Sequence, residues 1–187
     1  GTPVMPGNIN YVEGYVKPVY ALTDKIALGG NVSGSGAATL TIQPKTDATT
    51  IAIGSAVTGT LKLDDTELGY LQDGFTSITI GSATGTGAIA VAYTTPYTFL
   101  DPLTIRSNTS GGGAISATSA LNTGANSLTI TTGGAVSTVA ITSGTLAITG
   151  NGITLNGDVT TSGTQSYTGA VTLGASITAA SSGESAN

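Results

Sequence analysis

Four carboxylates, Asp64, Asp65, Glu67 and Asp73, lie within ten residues and form the densest titratable cluster of the chain. Paired carboxylates serve glycoside hydrolysis as acid and base, and clustered carboxylate oxygens hold calcium. The order here lacks the Asp-x-Asn/Asp-x-Asp/Asn-Gly pattern of a calcium loop. A helix start explains it more simply. Asp64 and the acids after it provide an N-cap and a first turn, Leu68 and Leu71 lie three apart, and Gly74 is predicted to end the turn.

Other chemistry is scarce. The chain holds no His and no Cys, which removes Ser-His-Asp and Cys-His catalysis, thiolate and imidazole metal sites, and disulfides. Gly111-Gly112-Gly113 precedes no P-loop lysine and no evident helix, so it makes no nucleotide site. Four lysines permit an isopeptide crosslink to Asn without indicating one. No catalytic, metal or cofactor residue is assigned, and the chain is expected not to be an enzyme.

Two groups of tyrosines remain. Tyr11 to Tyr20 (YVEGYVKPVY) alternates like a strand, and Pro18 confines it to an edge or a strand end. It reads as an N-terminal strand closing the core or as one that completes a neighbouring subunit by β-augmentation, with Tyr11, Tyr15, Val16, Val19 and Tyr20 in the joint. Tyr93 and Tyr97 flank Pro96 before the Asp101-Pro102 turn. They read as wedges under a corner, or as the aromatic face of a carbohydrate site.

These residues sit in an unusual background. Charged residues make up 8% of 187 positions, against roughly 25% in an ordinary domain. Low charge with ample aliphatics is the reverse of a disordered composition, and Gly, Thr, Ser and Val disfavour long helices. The net charge of −5 with five basic residues argues against nucleic-acid binding, and the lack of any basic residue after Arg106 excludes a phosphate-tracking groove there. No apolar run approaches the ~18–20 residues of a spanning helix. No signal peptide is visible at Gly1, so the chain is expected to be a processed product or a piece of a longer protein.

The elements show as triplets of two large aliphatics around a small or polar residue, the period-2 mark of strands with one buried face. Leu40–Ile42, Ile51–Ile53, Leu61–Leu63, Ile78–Ile80, Ile89–Val91 and Leu103–Ile105 recur through the first half. Leu128–Ile130, Leu146–Ile148, Ile153–Leu155 and Val171–Leu173 follow in a Thr- and Gly-rich tail. Leu128 to Leu146 and Ile153 to Val171 are both steps of 18 positions, which suggests stacked rungs. Asn151-Gly152 and Asn156-Gly157 bracket a triplet and mark tight corners or hairpin turns alike.

The expected fold is all-β, a parallel β-solenoid of short Thr/Gly-rich strands. An antiparallel β-sandwich with a donated N-terminal strand is the alternative, favoured by the 10–11-residue steps between residues 40 and 61. The expected organisation is an arm and Tyr-rich strand over 1–36, a solenoid over 37–180 and a tail over 181–187.

Asp64–Gly81 (DDTELGYLQDGFTSITIG), Phe99–Ser107 (FLDPLTIRS) and the triplets after them resemble filamentous-haemagglutinin-type exoproteins. The resemblance covers about residues 40–180 and leaves out the Tyr-rich arm. It implies a parallel β-helix, secretion to the cell surface, and an adhesive or fibre-forming role without catalytic residues. The expectations are therefore a homo-oligomer or filament without a membrane span, in which surface glycans are further candidate partners.

Overall fold

The computed structural model describes residues 4–5 and 19–22 as backbone, and residues 24–35 and 37–182 in full. The opening strands are β1 (Val4–Met5), β2 (Val19–Leu22) and β3 (Ala27–Leu28). Next come β4 (Thr39–Gln43), β5 (Ile51–Ile53), β6 (Leu61–Leu63) and the five-residue helix α1 (Asp65–Gly69). The chain continues through β7 (Ser77–Gly81), β8 (Ile89–Val91), β9 (Leu103–Arg106), β10 (Ile115–Ala117) and β11 (Leu121–Asn122). Three regular rounds close it. They are β12 (Leu128–Thr131), β13 (Val136–Thr138) and β14 (Ile141–Ser143), then β15 (Leu146–Thr149), β16 (Ile153–Leu155) and β17 (Val159–Thr161), then β18 (Gln165–Thr168), β19 (Val171–Leu173) and β20 (Ala179–Ser181).

The protein is all-β, with parallel strands in three main sheets. The first runs β2-β4-β7-β9-β12-β15-β18, the second β6-β5-β8-β10-β13-β16-β19, and the third β11-β14-β17-β20. A two-stranded sheet pairs β1 with β3. Every strand pair among the described residues is parallel, which removes the antiparallel sandwich. Consecutive strands mostly fall in different sheets, so two paired neighbours are joined by the rest of a circuit, the long crossover that parallel pairing requires. This pairing is compatible with a parallel β-solenoid.

Register follows the triplets. Leu40, Ile78, Leu103, Leu128 and Leu146 stand opposite one another across the first sheet, and so do Ile42, Ile80, Ile105, Ile130 and Ile148. All ten are buried, at about 1.5–3 kcal/mol per side chain. A one-residue slip would turn both columns outward, so the buried face fixes the pairing. The 18-residue step holds for Leu128 opposite Leu146 and Ile153 opposite Val171, while Val136 to Ile153 is 17 and Leu146 to Gln165 is 19, so the rounds vary in length at their corners.

The short N-terminal steps arise differently. β5 and β6 are consecutive yet paired, Ile51 opposite Leu61. Their tight link is feasible because Gly54 takes φ +107°, where a Cβ would run into the Ala92 carbonyl. The helix also stops earlier than expected. Tyr70 is its C-cap, because the chain turns extended at Leu71 to bridge Val32. Gly74 serves another corner, at φ +123° against Gly34. Of the two Asn-Gly corners, Gly152 has positive φ, whereas Gly157 is needed for close approach to Ala140.

Candidate functional site

Three carboxylates of the acidic cluster, Asp64, Asp65 and Glu67, are taken up by the fold, while Asp73 is exposed beside Asp101. Asp64 caps α1, its Oδ1 accepting the Glu67 amide at 2.9 Å, while Glu67 Oε2 accepts the Asp64 amide at 2.9 Å. The other Glu67 oxygen accepts the Leu28 amide at 2.8 Å and ties the N-terminal segment to the helix. Asp65 accepts the Ser55 amide at 2.6 Å, the Thr94 amide at 2.8 Å and the Thr94 hydroxyl. Burial pushes the Asp65 carboxyl up, but the Thr94 hydroxyl and the Ser55, Thr94 and Thr95 amides outweigh it and hold the group at about 2. Among the described residues no three acids gather as a metal site. These acids are acceptors that fasten loops.

Asp101 is the exception. It is buried, its Oδ1 accepts the Gly74 amide at 3.1 Å, and its Oδ2 has no partner. Burial pushes its carboxyl up, the Gly74 amide pulls against that, and neighbouring Asp73 raises it further.

The second tyrosine group forms a corner between β8 and β9. Tyr97 stands edge-on to Phe99, ring centroids 4.9 Å apart, and meets Tyr93 at 6.2 Å. Its hydroxyl donates to the Leu68 carbonyl at 2.7 Å, which locks the corner onto α1. Tyr97 is held up at about 12 by burial, reinforced by the charge of Asp101. Tyr93 is 8% exposed, and its amide donates to Ser119 Oγ at 2.9 Å. Its buried hydroxyl has no hydrogen-bond partner, and burial, with Tyr97 and Asp65 nearby, pushes its ionisation well above the ordinary tyrosine value. The two rings wall a hollow of about 330 Å³; they do not lie flat on the surface as an exposed platform.

Of the N-terminal candidates, Tyr11, Tyr15 and Val16 lie outside the described residues. Val19 and Tyr20 fall in β2, whose backbone pairs with β4 of the same chain, Val19 opposite Leu40 and Tyr20 opposite Thr41.

Triplet reading alone did not single out the opposite end of the stack. In the last round Gln165 and Tyr167 take the places opposite Leu146 and Ile148. Gln165 Nε2 donates to the Ala180 carbonyl at 2.9 Å, and the Tyr167 hydroxyl donates to Gln165 Oε1 at 2.9 Å. That side of the round carries a polar finish. The second sheet does not: Val171 is 44% and Leu173 60% exposed, although their partners Ile153 and Leu155 are buried. β18, β19 and β20 each stand last in their sheet, with one edge unpaired among the described strands. The signal available in sequence was the loss of aliphatics at 165 and 167, with Val171–Leu173 left apolar.

Among the described residues no helix is long and apolar enough to cross a membrane. Compared with known proteins, the chain matches no family model, no curated protein and no solved structure.

Proposed function

We propose that this chain is a non-catalytic building block of an extracellular or cell-surface fibre, a parallel β-solenoid that associates end to end with identical subunits. The observation that carries the reading is the last described round, where Val171 and Leu173 are exposed among the described residues at the end of columns otherwise buried. An apolar, charge-poor sheet end with an unpaired edge is a template for another strand unless it is guarded. Asp158 is the only charge from residue 108 to residue 182, so little guards this one. Polarity favours head-to-tail stacking, because a parallel stack offers edges of the same strand direction at both ends. The resemblance to filamentous-haemagglutinin-type exoproteins points the same way.

The test is the association state, followed by light scattering and electron microscopy. Wild-type protein is expected to form linear assemblies with a subunit-sized repeat, in low salt and in 1 M NaCl (roughly 3 Å screening) alike. Val171→Asp with Leu173→Asp is expected to leave monomers of unchanged melting temperature. A wild type that stays monomeric at every concentration reached would sink the fibre reading. A chain lacking residues 1–18 that assembles normally would remove the Tyr-rich stretch from the joint.

A further inference from the structure

Three places in the chain set a glycine directly after Asp or Asn: Asp73-Gly74, Asn151-Gly152 and Asn156-Gly157. In such a pair the glycine amide nitrogen can attack the side-chain carbonyl carbon before it, because glycine has no Cβ to hinder the approach. Alike in sequence, the three are held differently. The Gly74 amide is occupied, donating to Asp101 Oδ1 at 3.1 Å. Asn156 is exposed but clamped, its Nδ2 donating to Ser137 Oγ at 3.1 Å and to the Thr138 carbonyl at 3.2 Å. Gly157 after it presses on the preceding round, where a Cβ would stand 2.5 Å from the Ala140 nitrogen. Asn151 has none of these restraints. It is exposed, and neither its side chain nor the Gly152 amide has a hydrogen-bond partner among the described residues. The Gly152 α-carbon faces open space, with nothing within 4 Å of a Cβ placed there.

We infer that Asn151 is a self-modifying residue, converted in the folded protein to aspartate and isoaspartate while Asn156 is preserved. The Gly152 nitrogen gives up its proton to solvent base and bonds to Asn151 Cγ. The Cγ–Nδ2 bond breaks, and ammonia leaves with a proton returned from water. A water molecule then opens the cyclic imide at either carbonyl. Asparagine and water thus become a carboxylic acid and ammonia, with no oxidant or reductant. Each conversion adds one negative charge to the stretch from residue 108 to residue 182, whose only other charge is Asp158. Isoaspartate also lengthens the main chain by one carbon. That carbon falls between two bonds that join this corner to the preceding round, Asn151 amide to Gly134 carbonyl and Val136 amide to Gly152 carbonyl, both 2.8 Å. The corner lies between β15 and β16, in the round before the last described one, so the conversion is independent of end-to-end association.

The test incubates the folded chain in mildly alkaline buffer and follows both Asn-Gly pairs by peptide mapping with mass spectrometry, while isoelectric focusing reads the added charge. Asn151 is expected to convert about tenfold faster than Asn156, the rate equivalent of one hydrogen bond at the leaving amide. In concentrated urea, where no structure protects either site, the two are expected to convert at similar rates. A higher pH is expected to speed Asn151, since its attacking nitrogen must lose a proton. Asn151→Gln is expected to remove the new acidic species and keep the wild-type melting temperature, whereas aged wild-type protein rich in isoaspartate is expected to melt lower. Conversion of Asn156 as fast as Asn151 in the folded chain, or protection of Asn151 by folding as strong as that of Asn156, overturns the assignment.

Discussion

Thr138 and Ser143 point buried hydroxyls inward and neither has a partner. Thr138 is fully buried and stands opposite Leu155. An orphaned hydroxyl costs about 1–3 kcal/mol, and valine has nearly the same shape. Thr138→Val is therefore expected to raise stability by about 1 kcal/mol in urea unfolding, and a loss would show that the hydroxyl is satisfied in solution. Asp65 works in the opposite sense. Its folded value of about 2 lies below its ordinary 3.8, so its stabilisation is present above pH 3.8 and is lost as pH falls from there toward 2. Melting curves of wild type and Asp65→Asn are expected to differ at pH 6 and to converge near pH 2. A constant gap across that window would mean that the carboxylate's charge contributes nothing.

Among the elements, the strands obey a simple rule and the corners a harder one. The ten aliphatic triplets named from sequence are all strands, because a pleated backbone turns the two large residues of each to one face and the residue between them to the other. β10, β13, β14 and β17 are harder to read. Ile-Ser-Ala, Val-Ser-Thr, Ile-Thr-Ser and Val-Thr-Thr each place one large aliphatic inward and a small or polar residue after it. Two of the four strands of the third sheet, β14 and β17, are of this kind, and the other two, Leu121–Asn122 and Ala179–Ser181, hold no aliphatic pair either, which is why alternation alone did not reveal it. At the corners, glycine decides. Gly81 has φ +104° and faces the Arg106 carbonyl, so a Cβ would clash, whereas Gly111 has open space. Gly81→Ala is expected to destabilise by more than about 1 kcal/mol, and Gly111→Ala to change stability by less than about 0.5 kcal/mol. Equal melting temperatures for the two would mean that the corner relaxes without cost.

For the whole molecule, the two ends of the stack differ. At the N-terminal side α1 and the segment around Val32 pack onto the core, stapled through Glu67 to Leu28 and through Asp24 to Thr46 and Thr49. At the other side Val171 and Leu173 carry no cover among the described residues. Association through such an end rests on apolar burial and main-chain hydrogen bonds, so the salt insensitivity expected of the assemblies is a property of the whole charge distribution. Assemblies that dissolve in 1 M NaCl would point to an ionic joint elsewhere.

Sequence by itself determined the all-β class, the triplet strands, the capped turn at Asp64 and the absence of His- or Cys-based chemistry. Each follows from local residue types, since alternation, capping and composition act over a few neighbouring positions. Tertiary structure alone decided that all pairing among the described residues is parallel, that a third sheet exists, that the Tyr93 hydroxyl is buried without a partner, and that the last described round is apolar on one side. Those depend on residues tens of positions apart coming into register, and a period-2 pattern is the same whichever partner a strand finds.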